Sequence, residues 1–120
     1  MADKLPFKSG VLTFGTYKPI AGKEAELIEL IRQHQPTLRE FGLLTSKEGF
    51  IAQSQDGTII EVFEWKGLQE VQAAKQHPVI SALWEKMHSI GDCPPMKDIP
   101  ETATSFPGFE VLEFGKEQVL

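Results

Sequence analysis

Three histidines, two tryptophans and a glutamate on a strand face with aromatic residues are the residues of this chain best placed to do chemistry. His34 falls on the apolar stripe Leu27, Ile28, Ile31, Leu38 and Phe41, whose near-3.6 spacing predicts a helix. Imidazole titrates near neutral pH, so a histidine on an inward stripe is either a base in a pocket or a hydrogen-bonded core residue. His77 stands before Pro78 at a predicted helix start. There it either caps the helix or faces a cleft as a general base for a phenolic proton. Glu61 shares a strand face with Phe63 and Trp65, which predicts a buried carboxylate. Such a group is a functional candidate or is paired with a Lys or Arg across the dimer seam, and Arg32 and Arg39 are available. Trp65 and Trp84, with Phe63, offer flat faces on which an aromatic ligand could stack, or serve as large core and interface residues.

Other chemistries find no pattern. Glu85 and His88 make one E-x-x-H spacing, whereas di-iron bundles need two with two further acids. His34, His77, His88 and Cys93 lack zinc-ligand spacing, so no metal is expected. Cys93 lies between Asp92 and Pro94, where negative charge raises a thiol pKa and opposes nucleophilic use. No Gly-rich phosphate loop and no G-x-S-x-G elbow occurs.

The bulk properties narrow the partners. With 120 residues the chain is one domain, 41% hydrophobic and 24% charged. Twelve Lys and Arg scattered among seventeen acids leave a net charge of −5 and no basic face for nucleic acid. Apolar runs are too short to span a bilayer, the N-terminal residues lack an apolar signal core, and the single Cys93 cannot form an internal disulfide. A cytoplasmic location is expected.

The elements that must position these groups follow from periodicity. Residues 1–9 read as a lead-in, and Val11–Tyr17 as a strand with Gly15 marking a bulge or a close backbone approach. A helix runs from Lys23 to Phe41, stopped by Gly42, with Pro36 inside it to kink or split it. Leu43–Thr45 and Gly49–Ser54 supply a second strand. It turns at Asp56-Gly57, read as a type I′ hairpin, into a third strand, Thr58–Trp65. A helical pattern then runs from Leu68 to Ile90, interrupted at His77-Pro78. A proline-containing excursion leads to a last strand, Phe109–Phe114, and residues 116–120 form a tail.

The order strand, helix, strand, strand, helix, strand is the split βαβ, ferredoxin-like pattern. It predicts an α+β fold with a four-stranded antiparallel sheet and two helices on one face. In the third strand Ile60 and Val62 point one way and Ile59, Phe63 and Trp65 the other, so both sheet faces are apolar. Two helices cannot shield Leu12, Phe14, Phe63 and Trp65 together. A homodimer is therefore expected, with two sheets paired into a barrel.

Ala21-Gly22-Lys23-Glu24-Ala25-Glu26-Leu27, the run Asp56–Lys66 with its closing Trp65, and His77-Pro78 ahead of Leu83-Trp84-Glu85 together resemble antibiotic-biosynthesis-monooxygenase-type domains of the dimeric α/β-barrel superfamily. The resemblance spans about residues 10–115. It implies a pocket between sheet and helices, where active members oxidise an aromatic polyketide or quinol with dioxygen and without a cofactor. A haem-degrading branch of that superfamily depends on an Asn on the first strand, and on a Trp and a His on the second helix. This chain has no asparagine, and Ala74 and Trp84 stand near the other two positions, so haem degradation is not expected. The expected function is cofactor-independent monooxygenation of a small aromatic, with His77 or His34 as base and Trp65, Trp84, Glu61 and Phe63 lining the site. The alternative is a non-catalytic homodimeric ligand-binding or structural module.

Overall fold

The computed structural model describes residues 9–113. The predicted lead-in up to residue 8, Phe114 and the tail lie outside them. Within the described residues the fold is α+β, with three helices and an antiparallel sheet of five strands. The first strand, β1 (Val11–Pro19), leads into α1 (Glu24–Glu40). Next come β2 (Phe50–Gln53) and β3 (Ile59–Trp65). Then α2 (Leu68–Gln76) and α3 (Pro78–Ser89) lead to β4 (Gly91–Asp92) and finally to β5 (Glu110–Val111). The sheet order is β4-β1-β3-β2-β5. No helix among the described residues is long and apolar enough to cross a membrane.

Five strands and three helices replace the four and two expected. The strand beside β1 is not the Phe109–Phe114 run but the two residues Gly91 and Asp92, which pair with Pro19 and Lys18. The later run instead pairs with the far edge of the sheet, Glu110 opposite Gln53 and Val111 opposite Ala52. A two-residue strand leaves no periodicity to read, whereas the apolar run around Val111 does. The expected interruption at His77-Pro78 falls where the helix breaks, and it separates α2 from α3. Pro36 does not split α1, which remains one helix through it. Of the two hairpin residues only Gly57 has a positive φ, so the connection is not type I′. Its Ser54–Gly57 turn (Gly57 N–H to the Ser54 carbonyl, 3.0 Å) followed by a left-handed glycine is the three-residue alternative.

The register of β1 on β3 sets the two faces. Leu12 lies opposite Glu64, Phe14 opposite Val62, and Gly15 opposite Glu61. Alternation then directs Ile59, Glu61, Phe63 and Trp65 to the helices, and Ile60, Val62 and Glu64 away from them. On the helix side Ile59 packs with Tyr17, Leu27, Ile31, Leu83 and Met87, and Phe63 and Trp65 with Leu38, Leu43, Leu44, Ala74 and Ile80. Each such buried aliphatic side chain contributes about 1.5–3 kcal/mol relative to exposure. Phe63 and Trp65 are therefore shielded by helices and do not belong to the bare face. On that face the segment after β4 forms a strap. The Thr16 hydroxyl donates to the Pro94 carbonyl, Ser54 donates to Glu101 at 2.7 Å, and Ile99 is buried. Leu12, Phe14, Phe50 and Val111 remain exposed on the rest of it.

Candidate functional site

The site is built around a carboxylate with no exposure at all. Glu61 sits in the middle of β3, directly across the ladder from Gly15, and its two oxygens accept from three side chains. Tyr17 Oη donates to Oε1 at 2.9 Å, and Gln35 Nε2 donates to Oε2 at 3.2 Å. His34 Nδ1 lies 2.8 Å from Oε1 and 3.0 Å from Oε2. Within the chain the groups that meet Glu61 are Tyr17, His34 and Gln35 rather than an arginine. Arg32 binds Glu29 at 2.9 Å, and Arg39 donates to the Lys47 carbonyl. Three donors satisfy both oxygens of a carboxylate, which accepts only.

Local sequence explains how each donor arrives. Gly15 causes no bulge, since the β1–β3 register runs through it unbroken. It provides a close approach instead. A Cβ there would stand 3.0 Å from Tyr17 Oη and 3.3 Å from the ring, so only glycine lets the Tyr17 ring lie back along β1 towards Glu61 at no steric cost. His34 and Gln35 are consecutive on α1, both buried, and straddle the carboxylate. Burial, reinforced by the charge of Glu61 and the hydrogen bond to it, holds the Tyr17 phenol far above its ordinary pKa, so Tyr17 stays a donor.

Trp84 assigns the state of His34. Its indole Nε1 lies 2.8 Å from His34 Nε2. Indole nitrogen only donates, so Nε2 carries a lone pair and the imidazole proton sits on Nδ1, directed at Glu61. A carboxylate fixing Nδ1–H and leaving Nε2 as acceptor is the arrangement by which a histidine is set up as a base.

This dyad faces a cavity of about 320 Å³. Phe63 and Trp65 on β3 and the Thr13–Tyr17 stretch of β1 form its sheet wall. Trp84, Met87 and His88, one helical face of α3 at i, i+3 and i+4, form the opposite wall. Because β4 pairs only with Lys18 and Pro19, the rest of this edge of β1 borders the cavity beside Cys93. His34 meets Phe63 edge-on, with ring centroids 5.5 Å apart. Its described lining residues carry aromatic and hydroxyl groups and imidazoles, and no lysine, arginine or carboxylate is among them. Comparison of the chain with protein-family models, curated proteins and solved structures returned no match.

The structure brings together five of the six residues singled out from sequence. His34, Phe63, Trp65 and Trp84 line the cavity, and Glu61 stands behind His34. His77 lies elsewhere. It caps α3, its Nδ1 accepting the Val79 N–H at 3.2 Å, and its ring stacks on Phe41 at 4.0 Å. Tyr17 and Gln35 were not singled out. The signal for Tyr17 was its even spacing from Gly15, which puts both on one face of β1; the strand register then sets that face beside Glu61. Gln35 had no comparable signal. Cys93 is exposed, and its thiol pKa is raised first by burial of the sulfur and then by Asp92. Among the described residues no three His, Cys, Asp or Glu side chains are placed to share a metal ion.

Proposed function

We propose that the chain is a cofactor-independent monooxygenase of a small neutral phenol or quinol, with His34 as the base and Glu61 as the group that positions it. The single observation carrying this reading is the His34–Glu61 dyad, with a fixed tautomer, at the wall of an aromatic cavity of about 320 Å³. A domain serving only as scaffold has no need of such a space, whereas ligand sites start at roughly 300 Å³ with a few convergent polar groups.

The chemistry balances without a protein redox group. A phenol hydroxyl gives its proton to His34 Nε2, and the imidazolium is stabilised by Glu61 at 2.8 Å. The phenolate passes one electron to dioxygen, and the resulting radical pair closes a carbon–oxygen bond to a ring peroxide. Loss of water, with the ring hydrogen leaving as a proton, forms the carbonyl. For 1-naphthol the sum is naphthol plus dioxygen to 1,4-naphthoquinone plus water. Trp65 and Phe63, their rings tilted 58° to each other, supply aromatic surface to the wall beside the ring.

The strand order β4-β1-β3-β2 supports a ferredoxin-like plan extended by β5. Leu12, Phe14, Phe50 and Val111, exposed on the face away from the helices, support pairing of two copies through their sheets. Sedimentation at micromolar concentration checks this, and a persistent monomer refutes it. A non-catalytic ligand-binding or structural module is favoured by a different observation: among the described residues every buried side-chain nitrogen or oxygen already has a partner. Oxygen uptake with naphthol and quinol substrates separates the two. The oxygenase reading predicts turnover that His34→Ala abolishes and His77→Ala preserves; absence of turnover supports the module.

A further inference from the structure

The one lone pair at which the dyad could receive a proton is already taken. Trp84 Nε1–H occupies His34 Nε2 at 2.8 Å, and Trp84 is half-buried between the two core clusters. With Nδ1–H committed to Glu61, the dyad presents the cavity with an acceptor only.

We infer that Trp84 is a displaceable stand-in for the substrate hydroxyl and makes the cavity selective for hydrogen-bond donors. This rests on the reading of the cavity as a ligand site. A phenol O–H can replace the indole N–H at Nε2 and keep that atom satisfied. An ether or a quinone, which only accepts, cannot, because its oxygen would meet a lone pair. The same rule separates substrate from product. A phenol enters by displacing Trp84, and once it has become a quinone it has no donor to hold Nε2, so the indole returns. Tyr17 cannot substitute as donor, since its hydroxyl is held by Glu61 at 2.9 Å. Among the described lining residues no Lys or Arg is present to pair with an anion, which favours neutral phenols over carboxylated or phosphorylated ones.

The test is equilibrium binding, without turnover. Wild-type protein is titrated anaerobically with 1-naphthol, 1-methoxynaphthalene and 1,4-naphthoquinone, and the titrations are repeated on Trp84→Phe. The expected result is a preference for naphthol over its methyl ether of roughly tenfold, about 1.4 kcal/mol. The preference widens by at least about threefold in Trp84→Phe, where no indole competes for Nε2. In wild-type protein the Trp84 indole N–H resonance moves with naphthol and not with the ether, with Trp65 as internal reference; this readout needs no variant. Equal affinities for naphthol and ether overturn donor selectivity but leave the ligand site standing. A preference unchanged in Trp84→Phe, or a Trp84 resonance indifferent to naphthol, overturns the stand-in role. Binding of none of the three overturns the selectivity and the ligand site together.

Discussion

Replacing Glu61 with leucine keeps the side-chain bulk and removes the only acceptor shared by three buried donors. Tyr17 Oη, His34 Nδ1–H and Gln35 Nε2 would then face an apolar group. An unsatisfied buried donor costs about 1–3 kcal/mol. His34 cannot escape by moving its proton to Nε2, because that atom would meet the Trp84 N–H. The summed cost is therefore about 4 kcal/mol or more, a large share of the roughly 5–15 kcal/mol that stabilises a domain. It corresponds to a melting temperature lower by roughly 4 °C per kcal/mol. Tyr17→Phe sharpens the argument. In the wild-type background it removes a donor from a charged acceptor and costs about 1.5–3 kcal/mol. In the Glu61→Leu background it removes an orphan, so it is neutral or stabilising. Urea unfolding of the four proteins measures the cycle. Changes in midpoint at constant slope are expected, with a coupling of about 1.5–3 kcal/mol. A Glu61→Leu cost under 1 kcal/mol, or a Tyr17→Phe cost equal in both backgrounds, would refute a closed network around Glu61.

Three further outcomes follow from other parts of the molecule. Glu64 is held at about 2, against an ordinary 4.5, chiefly by the Thr45 hydroxyl. Its contribution to stability is complete above pH 4.5 and lost as pH falls towards 2, so Glu64→Gln should flatten that stretch of an acid-unfolding curve. Cys93, with its thiol pKa raised, should react with iodoacetamide at pH 7 more slowly than free cysteine, and 1-naphthol in the cavity should slow it further. His77→Ala should lower stability by about 1 kcal/mol through loss of the cap to Val79, with unchanged affinity for naphthol by calorimetry.

Much of the framework was legible in residue spacing, because burial acts on each strand or helix locally. The parity of Ile59, Phe63 and Trp65 placed them on one face with Glu61, and Leu27, Ile31, His34 and Leu38 mark the inward stripe of α1. The helix break at His77-Pro78 follows from the proline itself. What could not be read was pairing over long separations. A buried Glu61 announced its need for partners, but Tyr17 and His34 lie 44 and 27 residues away. Charge alone pointed to the arginines. The edge of the sheet failed for a related reason. Gly91 and Asp92 pair with β1 because α3 delivers them there, and neither residue type favours a strand. The true neighbour of Phe109–Val111 depends on the course of the strap, anchored through Pro94 and Glu101.

The proposed function requires that His34, backed by Glu61, take the proton of a phenol in the cavity. Anaerobic mixing with 1-naphthol at a pH where the free ligand is neutral tests this without any oxidation step. A naphtholate absorption band is expected in wild-type protein and is lost in His34→Gln and in Glu61→Gln. A bound ligand that keeps the neutral naphthol spectrum in wild-type protein would contradict it.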